Sequence, residues 1–111
     1  MTRIEAGTGV ITQINIFKTD PAKADLLIET LKEAAQSVRH VPGWLSINLH
    51  VALDRTQVAN YAQCETKAAW DEVMVILFQK GFIDRIVAIA PPEPCLYEVE
   101  WTLDRAGSTQ V

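Results

Sequence analysis

An α+β fold, one antiparallel sheet with its helices gathered on a single face, is predicted by three features of this 111-residue sequence. Residues 9–17, 44–53, 57–65 and 95–103 alternate in hydrophobicity with period two, as half-buried strands do. Apolar residues recur at helical spacing after the first of these stretches and again after the third. Between the second and third, Asp54, Arg55 and Thr56 make a connection of hairpin length.

In the first strand, Ile11, Gln13, Asn15 and Phe17 share one face, and Val10, Thr12, Ile14 and Ile16 share the other. Asp20 and Pro21 then supply an N-cap and a proline at the first helical position, followed by the apolar stripe Ala24, Leu27, Ile28, Leu31, Ala35 and Val38. This helix ends before Pro42 and Gly43. The second strand sends Leu45, Ile47, Leu49, Val51 and Leu53 one way and Ser46, Asn48 and His50 the other. The third presents Val58, Asn60, Ala62 and Cys64 on one face, and Thr66 caps a second helix that runs to about residue 78. Gly81 interrupts the helical pattern. Phe82, Ile83, Ile86, Val87 and Ala90 resume it as a short helix that Pro91 and Pro92 stop. The last strand sets Cys95, Tyr97, Val99, Trp101 and Leu103 against Glu98, Glu100 and Thr102.

The order β-α-β-β-α-(α)-β is the ferredoxin-like arrangement. It implies a single domain over residues 9–103, a loose N-terminal segment 1–8 and a loose tail 104–111. In that topology the first and third strands are central neighbours, so Asn15 and Asn60 lie side by side facing the helices. The sheet's bare face also needs a cover. A second copy packed sheet to sheet, a homodimer of the dimeric α/β-barrel type, is the simplest one.

Composition narrows the possible functions. A formal net charge of −4 with scattered Lys and Arg argues against nucleic acid as a partner. No segment approaches the ~20 apolar residues of a membrane span, and residues 1–8 lack the apolar core of a signal peptide, so a cytoplasmic protein with no membrane partner is expected. Cys64 and Cys95 fall on strands separated by a third, roughly 10 Å apart, and are read as free thiols. Two histidines and two cysteines without short ligand spacing give no metal site, and no phosphate loop or dinucleotide fingerprint is present.

A buried amide without a partner costs free energy, so Asn15 and Asn60 on adjacent strands ask for an explanation. They either satisfy local backbone groups or hold a carbonyl or phenolate oxygen in an apolar gap, where both can donate hydrogen bonds. Trp44 and Trp70 are candidate pocket walls that can equally be core anchors. His50, near a strand end, is a structural residue or a proton-transfer group. Arg85 is a solvated charge beside Asp84 or a cation at a pocket mouth. His40 suits the dipole of the helix end. Glu98 and Glu100 form a solvated or dimer-rim face.

Four sequence segments carry a resemblance: Ile14-Asn15-Ile16-Phe17, Val41-Pro42-Gly43-Trp44, Asn60-Tyr61-Ala62-Gln63-Cys64 and Glu65-Thr66-Lys67-Ala68-Ala69-Trp70. Together, in this order, they resemble the antibiotic biosynthesis monooxygenase family, in its branch of quinone-forming oxygenases acting on polyketide anthrones and naphthols. The resemblance covers roughly residues 9–103. It implies an enzyme, a cofactor-independent monooxygenase, that oxidises a small aromatic phenol or anthrone with dioxygen. Asn15 and Asn60 would be its catalytic groups, and Cys64, Trp70, Arg85, Trp44 and His50 would surround the substrate. That branch commonly carries Trp where this chain has Cys64, which implies a bulkier substrate, another aromatic filling the gap, or the absence of the reaction. A haem-degrading branch uses a histidine in the helical region, and residues 66–90 contain none. A cyclase or isomerase using the same amides, or a non-catalytic small-molecule-binding dimer, is the alternative.

Overall fold

The computed structural model describes residues 2–108. Four strands, β1 (Ile11–Lys18), β2 (Trp44–Val51), β3 (Gln57–Cys64) and β4 (Pro92–Tyr97), form one antiparallel sheet in the order β2-β3-β1-β4. The helices α1 (Ala24–Val38), α2 (Lys67–Gln79) and α3 (Phe82–Ile89) pack on one face, which is the ferredoxin-like arrangement.

Each helix starts where the local chemistry requires it. Asp20 Oδ1 accepts the Ala22 N–H at 2.9 Å and opens a 3-10 turn, Pro21–Lys23, that runs directly into α1. Thr66 Oγ1 accepts the Ala69 N–H at 3.1 Å at the head of α2. Gly81, at φ 79°, adopts the left-handed conformation that separates α2 from α3, a position where a side chain would be strained. One side of α1 buries Leu27, Leu31 and Ala34 against Phe17, Val58, Ile86 and Ala90. A second cluster, Val38, Val41, Cys64, Ala69 and Val73, fills the other end of the space between sheet and helices.

The sheet's opposite face carries Thr12, Ile14, Tyr61 and Gln63, and the N-terminal segment lies against part of it. Gln63, fully buried, accepts the Arg3 N–H at 2.7 Å and donates to the Arg3 carbonyl at 2.6 Å and to Thr12 Oγ1 at 3.1 Å. Thr2 bonds Ser46 Oγ at 2.8 Å and receives a bond from Asn48, and Ala6 is buried. The segment expected to be loose thus has partners on the sheet.

The last strand differs from expectation. It begins at Pro92 and ends at Tyr97 instead of spanning 95–103. Its two prolines, Pro92 and Pro94, sit on an edge strand, where a missing N–H disturbs only one ladder. It stops because its partner does: Tyr97 pairs with Thr12, and β1 begins at Ile11. Alternation beyond Tyr97 therefore finds no position in the sheet. Leu103–Asp104 (β5) and Gly107–Ser108 (β6) form a small hairpin in what was expected to be a loose tail, with Asp104 Oδ1 accepting the Ala106 and Gly107 N–H groups at 2.9 Å. The rest of that tail, 109–111, lies outside the described residues.

Candidate functional site

Asn15 and Asn60 are direct cross-strand partners, and the pleat points both toward the helices. Residue-level exposure is 8% for Asn15 and 9% for Asn60, and the Oδ1 atom of each is buried without a hydrogen-bond partner among the described residues. Each such acceptor costs about 1–3 kcal/mol when nothing fills the site. Two buried amides left open side by side call for an explanation.

The amides border a cavity of ≈ 280 Å³ between the sheet and the three helices. Its floor is Gln13, Asn15 and Phe17 from β1, Asn60 and Ala62 from β3, and Trp44 and Ile47 from β2. Met74 and Leu77 from α2 and Ile83 and Ile86 from α3 cover it, while Pro92 and Pro94 from the edge strand complete the rim. Asn15, Asn60 and Gln13 are polar points in an otherwise mainly apolar lining, the composition expected of a small-molecule site. An amide donates through Nδ2 and accepts through Oδ1, so the pair can hold a hydroxyl or its anion.

Of the residues singled out from sequence, Asn15, Asn60, Trp44 and Trp70 come together around this cavity. Cys64 lies one inward position beyond Ala62, 1% exposed, packed in the second apolar cluster with Trp44 and Trp70 against it. Burial raises its thiol pKa from 9.0 to about 11. Two residues fall elsewhere. His50 pairs with Ala59 on the sheet's opposite face and is exposed, because strand alternation puts it out of phase with Leu49. Arg85 is exposed on the outer side of α3, bonded to Glu33 at 3.2 Å and stacked 5.1 Å from the Phe82 ring centroid. Gln13, which belongs to the Asn15 phase, joins the site, as do Met74, Pro92 and Pro94. The Gln13 signal was present in the alternation, whereas Pro92 read with Pro91 as a helix stop. Among the described residues no cluster of three or more His, Cys, Asp or Glu is placed to hold a metal, and no helix is long and apolar enough to cross a membrane.

The four-stranded antiparallel sheet carries an apolar chamber with paired amides on its helix side, a ferredoxin-like scaffold with space for a small molecule. Residues 10–74, more than half of the chain, match the antibiotic biosynthesis monooxygenase family. The chain belongs to that family and is an enzyme of the monooxygenase class. It is 28% identical over 100 residues to the tetracenomycin-F1 monooxygenase of Streptomyces glaucescens, with 89% of each chain covered. A monooxygenase from the gene ActVA-Orf6 of Streptomyces coelicolor, solved with nanaomycin D bound, superposes with a TM-score of 0.67 at 25% identity over 82% of this chain and 87% of that one. SnoaB, a cofactor-independent oxygenase from Streptomyces nogalater, shares the fold with a TM-score of 0.74 at 18% identity, covering 87% of this chain and 99% of that one.

Proposed function

We propose that the protein oxidises an electron-rich aromatic polyketide, a phenol or anthrone, to a quinone with dioxygen and without a cofactor. The observation that carries this reading is the cross-strand pair Asn15 and Asn60, whose buried carbonyl oxygens lack partners beside an apolar cavity. A ring entering the cavity brings its oxygens to the amides. The unpaired Oδ1 atoms accept from the hydroxyl of the neutral ring and hold it in place, and the Nδ2–H groups donate to the ring oxygen as it becomes the anion, in a space with little water where such bonds are stronger than in bulk solvent. The anion passes one electron to dioxygen, and the radical pair recombines at the ring carbon as a hydroperoxide. Loss of water then leaves a carbonyl. One oxygen atom enters the product, the other leaves as water, and the substrate supplies all the electrons. The tetracenomycin-F1 and ActVA-Orf6 relatives support a polycyclic aromatic as the substrate class.

The active form on this reading is a homodimer. Ile4, Tyr97, Trp101, Leu103 and neighbouring Val99 leave an apolar surface across the open sheet face and the segment after β4, and a second copy buries it.

The test is oxygen uptake by purified protein with a panel of anthrones and dihydroxynaphthalenes. Uptake that persists after exhaustive chelation and without added flavin is expected. Consumption of the ring with no oxygen uptake would make the enzyme a cyclase or isomerase, and no turnover with any ring would contradict the reading.

A further inference from the structure

One end of the cavity is built by an irregularity in β2. Trp44 pairs with Cys64, but the next aligned pair is Ser46 with Gln63, so Leu45 is an extra residue, a β-bulge. Strict alternation back from Ile47 would send Leu45 toward the helices and Trp44 to the opposite face. The bulge reverses this and brings Trp44 to the cavity wall. The chain around it is held closely. Gly43 has φ 89°, and a Cβ there would lie 2.8 Å from Ala69 Cβ, so only glycine lets β2 start this close to α2. Its carbonyl accepts the Glu65 N–H at 2.7 Å, and the Trp44 N–H donates to the Val41 carbonyl at 3.1 Å.

Cys64 is the small partner of this large side chain. It is buried among Val38, Val41, Ala69 and Val73, with Trp44 packed against that cluster. Core volume is conserved locally, so a large residue on one strand fits beside a small one on its neighbour. We infer that Trp44, turned inward by the bulge and seated beside Cys64, forms the end wall of the cavity and sets the length of ring system the enzyme accepts. The inference rests on the reading of this cavity as the substrate site. It gives Cys64 a packing role: its small volume leaves room for the indole.

The experiment measures binding and oxygen uptake for two-, three- and four-ring phenols with the wild type, Trp44→Ala, Cys64→Trp and the double variant Trp44→Ala/Cys64→Trp. Trp44→Ala is expected to raise the preference for the longest ring over the shortest by about 10-fold or more, since even small changes in pocket volume reach that scale. Cys64→Trp alone overfills the seat, weakens binding of every ring by about 10-fold and lowers the melting temperature. The double variant, with one large side chain again, recovers both. Trp44→Phe shifts the preference in the same direction by less and carries the test if the alanine variant does not fold. An unchanged ring-length preference in the Trp44 variants, or a Cys64→Trp protein that binds as the wild type does, overturns the inference while leaving the oxygenase reading intact. A wild type that neither binds nor oxidises any ring overturns both.

Discussion

Asn60 is the residue where stability and function separate. A core amide that satisfies its neighbours loses stability when truncated, whereas Oδ1 of Asn60 has no partner among the described residues, so truncation removes a cost. Asn60→Ala is therefore expected to melt at or slightly above the wild-type temperature, as calorimetry would show. Asn60→Asp places a carboxylate where the proposed ring anion would form, and turnover is expected to fall as far as in the alanine variant. Cys64 makes a prediction of another kind. Its folded pKa of about 11 lies above the unfolded value of 9.0, so the folded state holds its proton longer. The stability this contributes is fully present below pH ~9 and is lost as pH rises toward 11. A Cys64→Ala variant should show a flatter decline in denaturant midpoint over that interval. At neutral pH a thiol reagent should modify buried Cys64 only on unfolding. At this scale the sequence showed the phase of Asn15, Asn60 and Cys64 plainly, because period-two alternation fixes which face a residue takes. It could not show that the amides lack partners, which depends on every group around them. It also left His50 and Arg85 as candidates, and the fold carries both away from the cavity.

Elements begin where side-chain caps and turns dictate, and those signals are local enough to read from sequence. Asp20, Thr66 and Gly81 mark boundaries that the structure places at or next to the same residues. The bulge at Leu45 was not legible, because an inserted residue leaves the pattern Leu45, Ile47, Leu49 looking regular while reversing the side of Trp44. The end of β4 was not legible either. It is set by where β1 starts, a tertiary fact that continued alternation through Leu103 conceals. The docked N-terminal segment depends on Gln63, which the sequence offers only as a polar residue on a strand. Gln63→Leu removes three hydrogen bonds and leaves the Arg3 backbone and Thr12 hydroxyl without those partners. A loss of about 1–3 kcal/mol in denaturant unfolding is expected, with faster amide exchange at Arg3. Unchanged exchange at Arg3 would mean that other contacts hold the segment.

The whole molecule leaves one sheet face incompletely covered. Trp101, 58% exposed, lies with Ile4 and Tyr97, and Leu103, 64% exposed, follows two residues later, an apolar surface of the kind that a second copy covers. Sedimentation is expected to give about twice the 12.4 kDa chain mass, and Trp101→Asp with Leu103→Asp should shift the population toward single chains. A monomer at all concentrations would contradict the dimer. Strand order and the side taken by the helices were readable at this scale from the succession of elements and the short hairpin, and they suffice to bring Asn15 beside Asn60. The central claim is that this amide pair, within the chamber between sheet and helices, promotes oxidation of a ring by dioxygen. Its most direct test is oxygen uptake by wild type, Asn15→Ala and Asn60→Ala on the same anthrone, each variant checked for a melting temperature no lower than the wild type's. The account predicts one dioxygen consumed per ring by the wild type and a fall of ~100-fold or more in turnover for Asn60→Ala, the scale of losing one oxyanion donor, with binding weakened less. Uptake that survives in a folded Asn60→Ala protein would contradict it.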